Sequence, residues 1–338
     1  MKKTLSLLLA LVLCVSLFAS CGAKTQPETT AAPSTEAETV PAVKADVNIA
    51  VLKGPTGMGA AKLMADNDAG TAANNYTFTV AAAPDQITAK LVSGELDIAA
   101  LPTNAVSALY NKTQGAVKLA AINTLGVLYI LAKGDDVNSF ADLSGKTILA
   151  SGQGSTPEYV LNYLLNKNGL TVGEDVTVDY ADEHAEVVTQ AVSGAYDVVL
   201  LPEPFVTTLL SKDAGFAVKI SLTEAWEQAT GKQLAMGAIA VRADFAAEHK
   251  DALDAFLAEY AQSVEYVNAN PEEAGKLIEQ YDIAAAAVAT KAIPNCAMVC
   301  LTGETMKDSA SQFLSVLADT DAKAVGGALP ADDFYYGV

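Results

Sequence analysis

An internal repeat constrains the fold of this chain more than any other feature. The segment from Lys90 to Ala105 is matched position for position by the segment from Gln190 to Phe205, with Ser-Gly, Asp and Leu-Pro at the same places in both. Each copy predicts a helix that ends at the glycine, a short apolar strand, and a proline-containing turn into a new helix. Because such a unit is half of a parallel-sheet crossover, two copies predict two similar α/β lobes.

The composition limits the partners that this chain can bind. A length of 338 residues allows two domains with cores of their own, and 51% hydrophobic with 18% charged residues suits a globular α/β protein. The formal net charge of −19 disfavours nucleic acid and anionic lipid, since both are bound through clusters of Lys and Arg. We therefore expect no nucleic-acid partner.

Few side chains could hold an anion or a metal through charge. Arg242 is the only arginine, so a ligand carboxylate or sulfonate would otherwise depend on backbone amides, hydroxyls or lysine. His184 and His249 are the only histidines, lie far apart in the sequence and have no cysteine neighbours, a pattern that gives little support to zinc or iron. We predict neither a metal nor a cofactor.

The amino terminus has the pattern of an export signal. Met1-Lys-Lys precedes an apolar run from Leu5 to Phe18 that is too short for a comfortable membrane span. Residues 1–20 are therefore predicted to be a signal peptide and not part of the folded protein.

Cys21 follows this run in a sequence, Leu-Phe-Ala-Ser-Cys-Gly, that resembles the lipobox of bacterial lipoproteins, in which the cysteine carries the lipid. The alternative is an ordinary signal peptide followed by a chance cysteine. Residues 21–45 are rich in Thr, Ala, Pro and Glu and lack apolar periodicity, so we predict a disordered tether between a lipid anchor and the folded protein.

A glycine-rich turn follows the first predicted strand, residues 46–52. Lys53 to Gly59 leads from this strand into a helix, which places free backbone N–H groups and the positive end of the helix dipole at the carboxyl edge of the sheet. The spacing is not that of a nucleotide-binding loop. We predict that Thr56 and Gly57 face a ligand; a purely structural turn is the alternative.

The loop after the strand at residues 146–150 is the best candidate for binding an anion. Ser151, Gly152, Gly154, Ser155 and Thr156 bring small residues, backbone amides and hydroxyls together before a helix that contains Pro157 near its first turn. The alternative, helix capping by Ser155 or Thr156, explains one hydroxyl but not the whole cluster.

His184 and Glu203 could each serve either a ligand or a helix. His184 lies among acidic residues and could belong to a metal or acid–base site, although acids in the first turn of a helix are what the helix dipole favours. Glu203 stands between Pro202 and Pro204, where a carboxylate could meet an amino group of a ligand or cap the next helix. Thr103 and Asn104 are likewise suited to capping.

The remaining elements predict how the lobes are connected. Residues 234–242 read as a strand that returns to the first lobe and pairs with residues 126–132 in a two-strand hinge. The predicted first lobe therefore comprises residues 46–125 with 243–338, and the second comprises residues 126–242.

Cys296 and Cys300 are predicted to lie on one face of a strand, too far apart for an unstrained disulfide. Buried free thiols are the favoured interpretation over a disulfide or a redox role.

The order of these features resembles the solute-binding lipoproteins of bacterial ABC importers, in the branch for nitrate, sulfonate and taurine that also holds thiamine-precursor-binding proteins. The resemblance covers residues 46–338 and rests on the two repeats, on Pro202-Glu-Pro-Phe205, on Phe140-Ala-Asp-Leu-Ser-Gly-Lys, and on Val241-Arg-Ala-Asp-Phe. It implies a type II periplasmic-binding-protein fold, a monomer, and a permease as partner.

The resemblance also implies a set of ligand-binding residues at the strand carboxyl ends. They are Thr56, Gly57, Asp85, Gln86, Thr103, Asn104, Asn123, Thr124, Ser151, Gly152, Gly154, Ser155, Thr156, His184 and Glu203. The scarcity of arginine departs from what a strongly charged sulfonate would need and favours a ligand bound by neutral donors and a few acids.

Three functions compete at this point. The first is a lipid-anchored receptor on the outer face of the cytoplasmic membrane that hands a small solute to a permease. The second is an enzyme on the same fold, of the pyrimidine-precursor or menaquinone-pathway type, against which the signal peptide and the lack of an evident nucleophile–base pair argue. The third is a structural or adhesive lipoprotein. For a receptor, the ligand could be an amino-bearing compound such as a pyrimidine, an anion such as a sulfonate or nitrate, or a zwitterion.

Overall fold

The computed structural model describes residues 44–213 and 215–338. The predicted signal peptide, the predicted lipidation site Cys21 and nearly all of the predicted tether lie outside these residues. Within them the chain forms two β-sheets with helices packed on both, so the predicted α/β class with two lobes is confirmed.

The strands of the described residues are short and mostly buried. In chain order they are β1 (Asp46–Leu52), β2 (Asn75–Ala81), β3 (Ile98–Pro102), β4 (Val117–Thr124), β5 (Leu128–Lys133), β6 (Thr147–Ser151), β7 (Thr177–Ala181), β8 (Val198–Pro202), β9 (Phe216–Ser221), β10 (Gly237–Arg242) and β11 (Met298–Leu301).

The first sheet has the strand order β11-β4-β10-β3-β1-β2, and the second has the order β7-β6-β8-β5-β9. In the first sheet β1 runs parallel to β2 and β3, and in the second β6 runs parallel to β7 and β8. The carboxyl ends of these parallel strands therefore share one edge in each sheet.

Helices connect the strands and cover the sheets. They are α1 (Pro55–Met58), α2 (Ala61–Asp68), α3 (Asp85–Ser93), α4 (Thr103–Lys112), α5 (Thr156–Lys167), α6 (His184–Val192), α7 (Phe205–Lys212), α8 (Leu222–Thr230), α9 (Ala243–Glu248), α10 (Lys250–Ala269), α11 (Pro271–Gln280), α12 (Ala286–Ala292) and α13 (Gly303–Thr320). Short 3-10 helices span Phe140–Leu143, Ile293–Asn295, Ala322–Val325 and Asp332–Phe334.

The internal repeat folds as predicted. The first copy runs from α3 through β3 into α4, and the second runs from α6 through β8 into α7. Gly94 and Gly194 follow the first helix of each copy with φ of +85° and +79°, a left-handed conformation that a residue with a Cβ rarely adopts. The two strands are buried because each lies inside its sheet, which explains their unbroken apolar sequence.

The predicted hinge pairing is wrong. Strand β10 does not pair with β5; it lies antiparallel between β3 and β4 in the first sheet, whereas β5 lies between β8 and β9 in the second. Residues 237–242 thus belong to the first sheet. The physical reason is burial, since β10 is apolar on both faces and fits the interior of a sheet better than an exposed connection. The chain passes between the sheets at residues 125–127 and 231–236.

A buried aromatic stack joins helices on one side of the protein. Trp226 of α8 is fully buried, and its ring centroid lies 5.0 Å from that of Tyr163 in α5 and 5.4 Å from that of Phe313 in α13. Because α13 also packs against β4 of the first sheet, the stack ties helices of the second lobe to the first.

The two described cysteines are free thiols, as predicted, but they do not share a strand. Cys296 is buried after a 3-10 helix, and only Cys300 lies in β11, where it is half-buried. Burial raises the pKa of the Cys300 thiol to about 11, so the thiol is protonated and unreactive at neutral pH.

Candidate functional site

A cleft opens where the strand-end loops of the two sheets meet. Its walls come from the carboxyl ends of β1, β3, β6 and β8, from the end of β4 and from the start of β10, which runs antiparallel to its neighbours. The space amounts to about 810 Å³, including the part open to solvent. Both copies of the internal repeat therefore contribute their strand ends to one site.

Part of the predicted ligand-binding set lines this cleft. These residues are Thr56, Thr124, Ser151, Gly152, Ser155, Thr156, His184 and Glu203. The rest of the set does not line it: Gly57, Asp85, Gln86, Thr103, Asn104, Asn123 and Gly154.

On the first-lobe side, Thr56 is held from behind by a chain of hydrogen bonds. Its hydroxyl lies 3.3 Å from both the amide nitrogen and the carbonyl oxygen of Leu52, and its own carbonyl accepts from the Tyr260 hydroxyl at 3.4 Å. The side-chain amide of Asn123 in turn donates to the Tyr260 hydroxyl at 3.2 Å. Asn123 is fully buried and supports the cleft wall from behind.

Gly57 is explained by packing and not by a ligand. A Cβ at this position would lie 2.5 Å from the backbone carbonyl oxygen of Leu52, which is closer than any real contact. The glycine is therefore needed for the helix α1 to fit against the end of β1. The structural interpretation of this turn holds for Gly57, whereas Thr56 lies at the cleft.

The other predicted residues outside the cleft serve the scaffold. Asp85 and Gln86 are exposed at the start of α3, where the Gln86 side chain accepts from the Ala82 amide. Thr103 is fully buried, and its amide donates to the Met236 carbonyl at 3.0 Å. Their positions follow strand ends, as expected, but of these three side chains only that of Gln86 makes a local hydrogen bond, and the Thr103 hydroxyl is buried without a partner among the described residues.

The glycine-rich loop after β6, in the second lobe, already binds a carboxylate of the protein itself, that of Glu158. The amide of Gly154 donates to the Glu158 carboxylate at 2.5 Å, and the amide of Ser155 donates to the Gly152 carbonyl at 3.1 Å. Because these two amides are occupied, the loop offers an incoming anion less than its sequence suggests. The Ser155 hydroxyl makes no capping hydrogen bond, so capping does not explain that residue.

Thr156 links the two lobes. Its hydroxyl donates to the Asn104 side-chain oxygen at 2.9 Å, and the Asn104 amide donates to the Ala324 carbonyl at 3.1 Å. Both Thr156 and Asn104 are buried. Asn104 thus positions Thr156 at the cleft without lining the cleft itself.

Ser151 and His184 form a hydrogen-bonded pair in the cleft wall, between the Ser151 hydroxyl and Nδ1 of the imidazole. Burial lowers the pKa of His184 from its usual 6.5 to about 4, so the ring is neutral at physiological pH. The ring also lies 5.1 Å from the Phe205 ring, centroid to centroid. The sequence did not predict this contact, because the two residues are distant in sequence and meet only across β6 and α6.

Glu203 is buried at the cleft, with 3% of its surface exposed. Its two carboxylate oxygens accept from the backbone amide and the hydroxyl of Thr207, both at 3.0 Å, so the side chain caps α7 and lines the cleft at once. Burial raises the pKa of Glu203, and the hydrogen bonds from Thr207 partly oppose that shift.

The only arginine is far from the cleft edge of the sheet. Arg242 ends β10, and its Nη2 lies 3.3 Å from Oδ1 of Asp97, which precedes β3. Asp97 also accepts from the Asn48 amide at 2.8 Å. Since these residues sit at the amino end of β3, the guanidinium is committed to the repeat aspartate at the edge opposite the cleft.

Several lining residues were missed from the sequence: Lys53, Ala82, Ala83, Pro84, Val127, Phe205 and Met236. The loop after β2 follows a parallel strand and could have been found by the same carboxyl-end rule as its neighbours. Val127 and Met236 lie where the chain crosses between the sheets, and their contribution depends on how the lobes meet.

Within residues 44–213 and 215–338, no three side chains of His, Cys, Asp or Glu come together in a way that could hold a metal ion. None of the helices in these residues combines the length and apolar character needed to span a membrane.

Two α/β lobes whose loops meet at one cleft define a class of proteins that bind solutes between lobes. The family described as ABC transporter, phosphonate, periplasmic substrate-binding protein matches residues 73–292. The chain belongs to this family and is therefore the periplasmic substrate-binding component of an ABC transporter. Comparison with curated proteins finds no match.

Solved structures share the fold. An ABC transporter protein from Parabacteroides distasonis is 25% identical, has a TM-score of 0.73, and the match covers 86% of this chain and 99% of that one. The alkanesulfonate-binding protein of Xanthomonas axonopodis pv. citri bound to MOPS is 16% identical, with a TM-score of 0.67 and coverage of 86% and 96%. The nitrate-binding protein of Synechocystis PCC 6803 is 16% identical, with a TM-score of 0.56 and coverage of 71% and 66%. The predicted resemblance to ABC solute-binding proteins is confirmed.

Proposed function

We propose that this chain is a lipid-anchored receptor that captures a small polar organic solute between its lobes and delivers it to the permease of an ABC importer. The observation that carries the proposal is the meeting of both repeat copies at one cleft. The residues proposed to contact the solute are Thr56, Thr124, Ser151, Gly152, Ser155, Thr156, His184 and Glu203.

The character of the cleft supports a solute with an apolar body and a few polar groups. Leu52, Leu101, Val127 and Met236 contribute apolar wall, and hydroxyls and carboxylates are placed among them. Binding sites for small organic molecules in proteins have this mixture, in which apolar contact supplies area and a few polar groups fix orientation.

An enzymatic role is the alternative, and the Ser151–His184 pair is the feature that could favour it. A general base works best when its pKa is near the working pH, whereas burial holds the pKa of His184 at about 4. Such an imidazole accepts a proton from serine poorly at neutral pH. We therefore propose a binding role for this pair and not catalysis.

Attachment through Cys21 is part of the proposal and rests on the lipobox-like sequence. The full chain, expressed in a bacterium that processes lipoproteins, should be found in the membrane fraction. The Cys21→Ser variant should move to the soluble exported fraction, because no lipid can then be attached. Equal membrane association of both forms would contradict lipidation at this residue.

Capture by lobe closure can be measured on the folded protein, residues 44–338. Sulfonates, nitrate, amino acids and pyrimidines would be screened by thermal shift, where a ligand at about 100 times its Kd should stabilise the fold by about 2.7 kcal/mol. Any compound that binds should also reduce the protein's radius of gyration in X-ray scattering, because the monomeric protein closes around its solute.

A Ser155→Trp variant provides the control for this experiment. Its side chain would fill the cleft, so both the thermal shift and the compaction should disappear. Binding that persists in this variant would place the solute elsewhere, and a protein that binds no member of the panel would contradict the receptor proposal.

A further inference from the structure

Glu203 is a buried carboxylate that lacks a cationic partner. Its hydrogen-bond donors, the Thr207 amide and hydroxyl, are both neutral, and no ion pair within the described residues involves it. A carboxylate removed from water is costly unless a positive charge or several donors compensate it. Because Glu203 lines the cleft, a bound solute can supply the missing charge.

Other charges at the cleft act in the same direction. Asp182 and Glu183 also line it, while Lys53 is the only lysine or arginine along its wall in the described residues. The Lys53 ammonium is bound to the Asp282 carboxylate at 3.0 Å, which neutralises much of its effect. An incoming anion would therefore meet like charges, and an incoming cation would meet opposite ones.

Three groups that could bind an anion lie away from this wall, are already in use or are uncharged. Arg242, the single guanidinium of the chain, pairs with Asp97 at the opposite edge of the sheet. The Gly154 amide of the glycine-rich loop is occupied by Glu158. His184 is hydrogen-bonded to Ser151 and adds no positive charge at neutral pH.

We propose that the cleft selects an organic amine, whose protonated nitrogen donates to the Glu203 carboxylate while its apolar body packs near the Phe205 ring and the aliphatic wall. A phosphonate, a sulfonate or nitrate would be rejected. This inference rests on the proposed receptor function and names the chemical class of its solute.

The test compares compounds that share a carbon skeleton and differ in charge. Short alkyl and phenylalkyl amines, alcohols, carboxylates, sulfonates and phosphonates would be screened by thermal shift, and Kd would be measured by calorimetry for every compound that binds. The inference expects binders among the amines and none among the anions. Binding by an anion and not by amines would overturn the amine inference and leave the receptor function intact, whereas no binding at all would contradict both.

Substitutions then identify the carboxylate. Glu203→Gln keeps an acceptor for Thr207 but removes the charge, and it should weaken amine binding at least about tenfold. Glu174→Gln is the matched control, because Glu174 is exposed and does not line the cleft; it should change Kd by less than about twofold. An unchanged Kd in folded Glu203→Gln would overturn the role of this carboxylate.

A second substitution keeps the inference testable if Glu203→Gln fails to fold. Lys53 is partly exposed, so Lys53→Gln should be tolerated. Removing this like charge should leave amine binding unchanged or tighten it, whereas an anionic ligand would lose affinity. A weaker Kd for the amine in Lys53→Gln would contradict the proposed charge complementarity.

Discussion

Replacing Trp226 with alanine is expected to lower the free energy of unfolding by about 4 kcal/mol, as large aromatic-to-alanine changes do in well-packed cores. The indole is fully buried and packs against both Tyr163 and Phe313, so its removal opens a cavity at the junction of α5, α8 and α13. Urea unfolding followed by far-UV circular dichroism would measure the change, since the variant lacks the only tryptophan of the chain.

Trp226→Phe is the matched control for this prediction. Phenylalanine keeps most of the aromatic contact, and it removes an indole N–H that has no hydrogen-bond partner among the described residues. Removing an unsatisfied buried donor is favourable and offsets part of the free energy lost with the smaller side chain. The free energy of unfolding should therefore fall by less than half as much as in the alanine variant. A loss below about 1 kcal/mol in Trp226→Ala would show that the stack contributes little.

Acidification from pH 7 to pH 4 is expected to destabilise the protein by up to about 3 kcal/mol through His184 alone. Burial holds the pKa of this imidazole at about 4 in the folded protein, against 6.5 when it is exposed. Between these values the unfolded chain binds a proton that the folded chain does not. The stabilisation is therefore complete above pH 6.5 and is lost as the pH falls toward 4.

The two histidines provide a matched comparison for this effect. His184→Gln retains hydrogen-bonding capacity toward Ser151 but cannot titrate, so its melting temperature should fall less between pH 7 and pH 4.5 than that of the parent protein. His249 is exposed, and His249→Gln should follow the parent. Parallel pH profiles for all three proteins would contradict the burial of a neutral His184. Carboxylates that titrate in this range cancel in the comparison.

The elements of the cleft were largely predictable from the sequence, because its loops follow parallel strands whose apolar runs are easily recognised. Thr56, Ser151 and Glu203 each stand at the carboxyl end of such a strand, or just after it, and all three line the cleft. Gly57 and Asn104 stand at equivalent places and do not. Position in the chain predicts the edge at which a residue lies, but not whether its side chain faces the ligand or the scaffold.

The charges of the cleft were likewise predictable only in part from the sequence. The sequence establishes that there is one arginine and many carboxylates, which argues against a strongly charged sulfonate but leaves other anions, amines and zwitterions open. The folded structure binds Arg242 to Asp97 and buries Glu203 without a cation. Both outcomes depend on contacts between segments that are distant in sequence. The amine inference therefore needed the folded arrangement.

The sequence by itself determined the two α/β lobes, the repeat that builds them and the edge of each sheet that borders the cleft, because local periodicity and turn residues specify strands, helices and their direction. Only the tertiary structure decided that β10 lies inside the first sheet and that Ser151 meets His184. Strand neighbours and side-chain partners are chosen by the burial of whole elements against each other, and that competition involves the entire chain rather than any one segment.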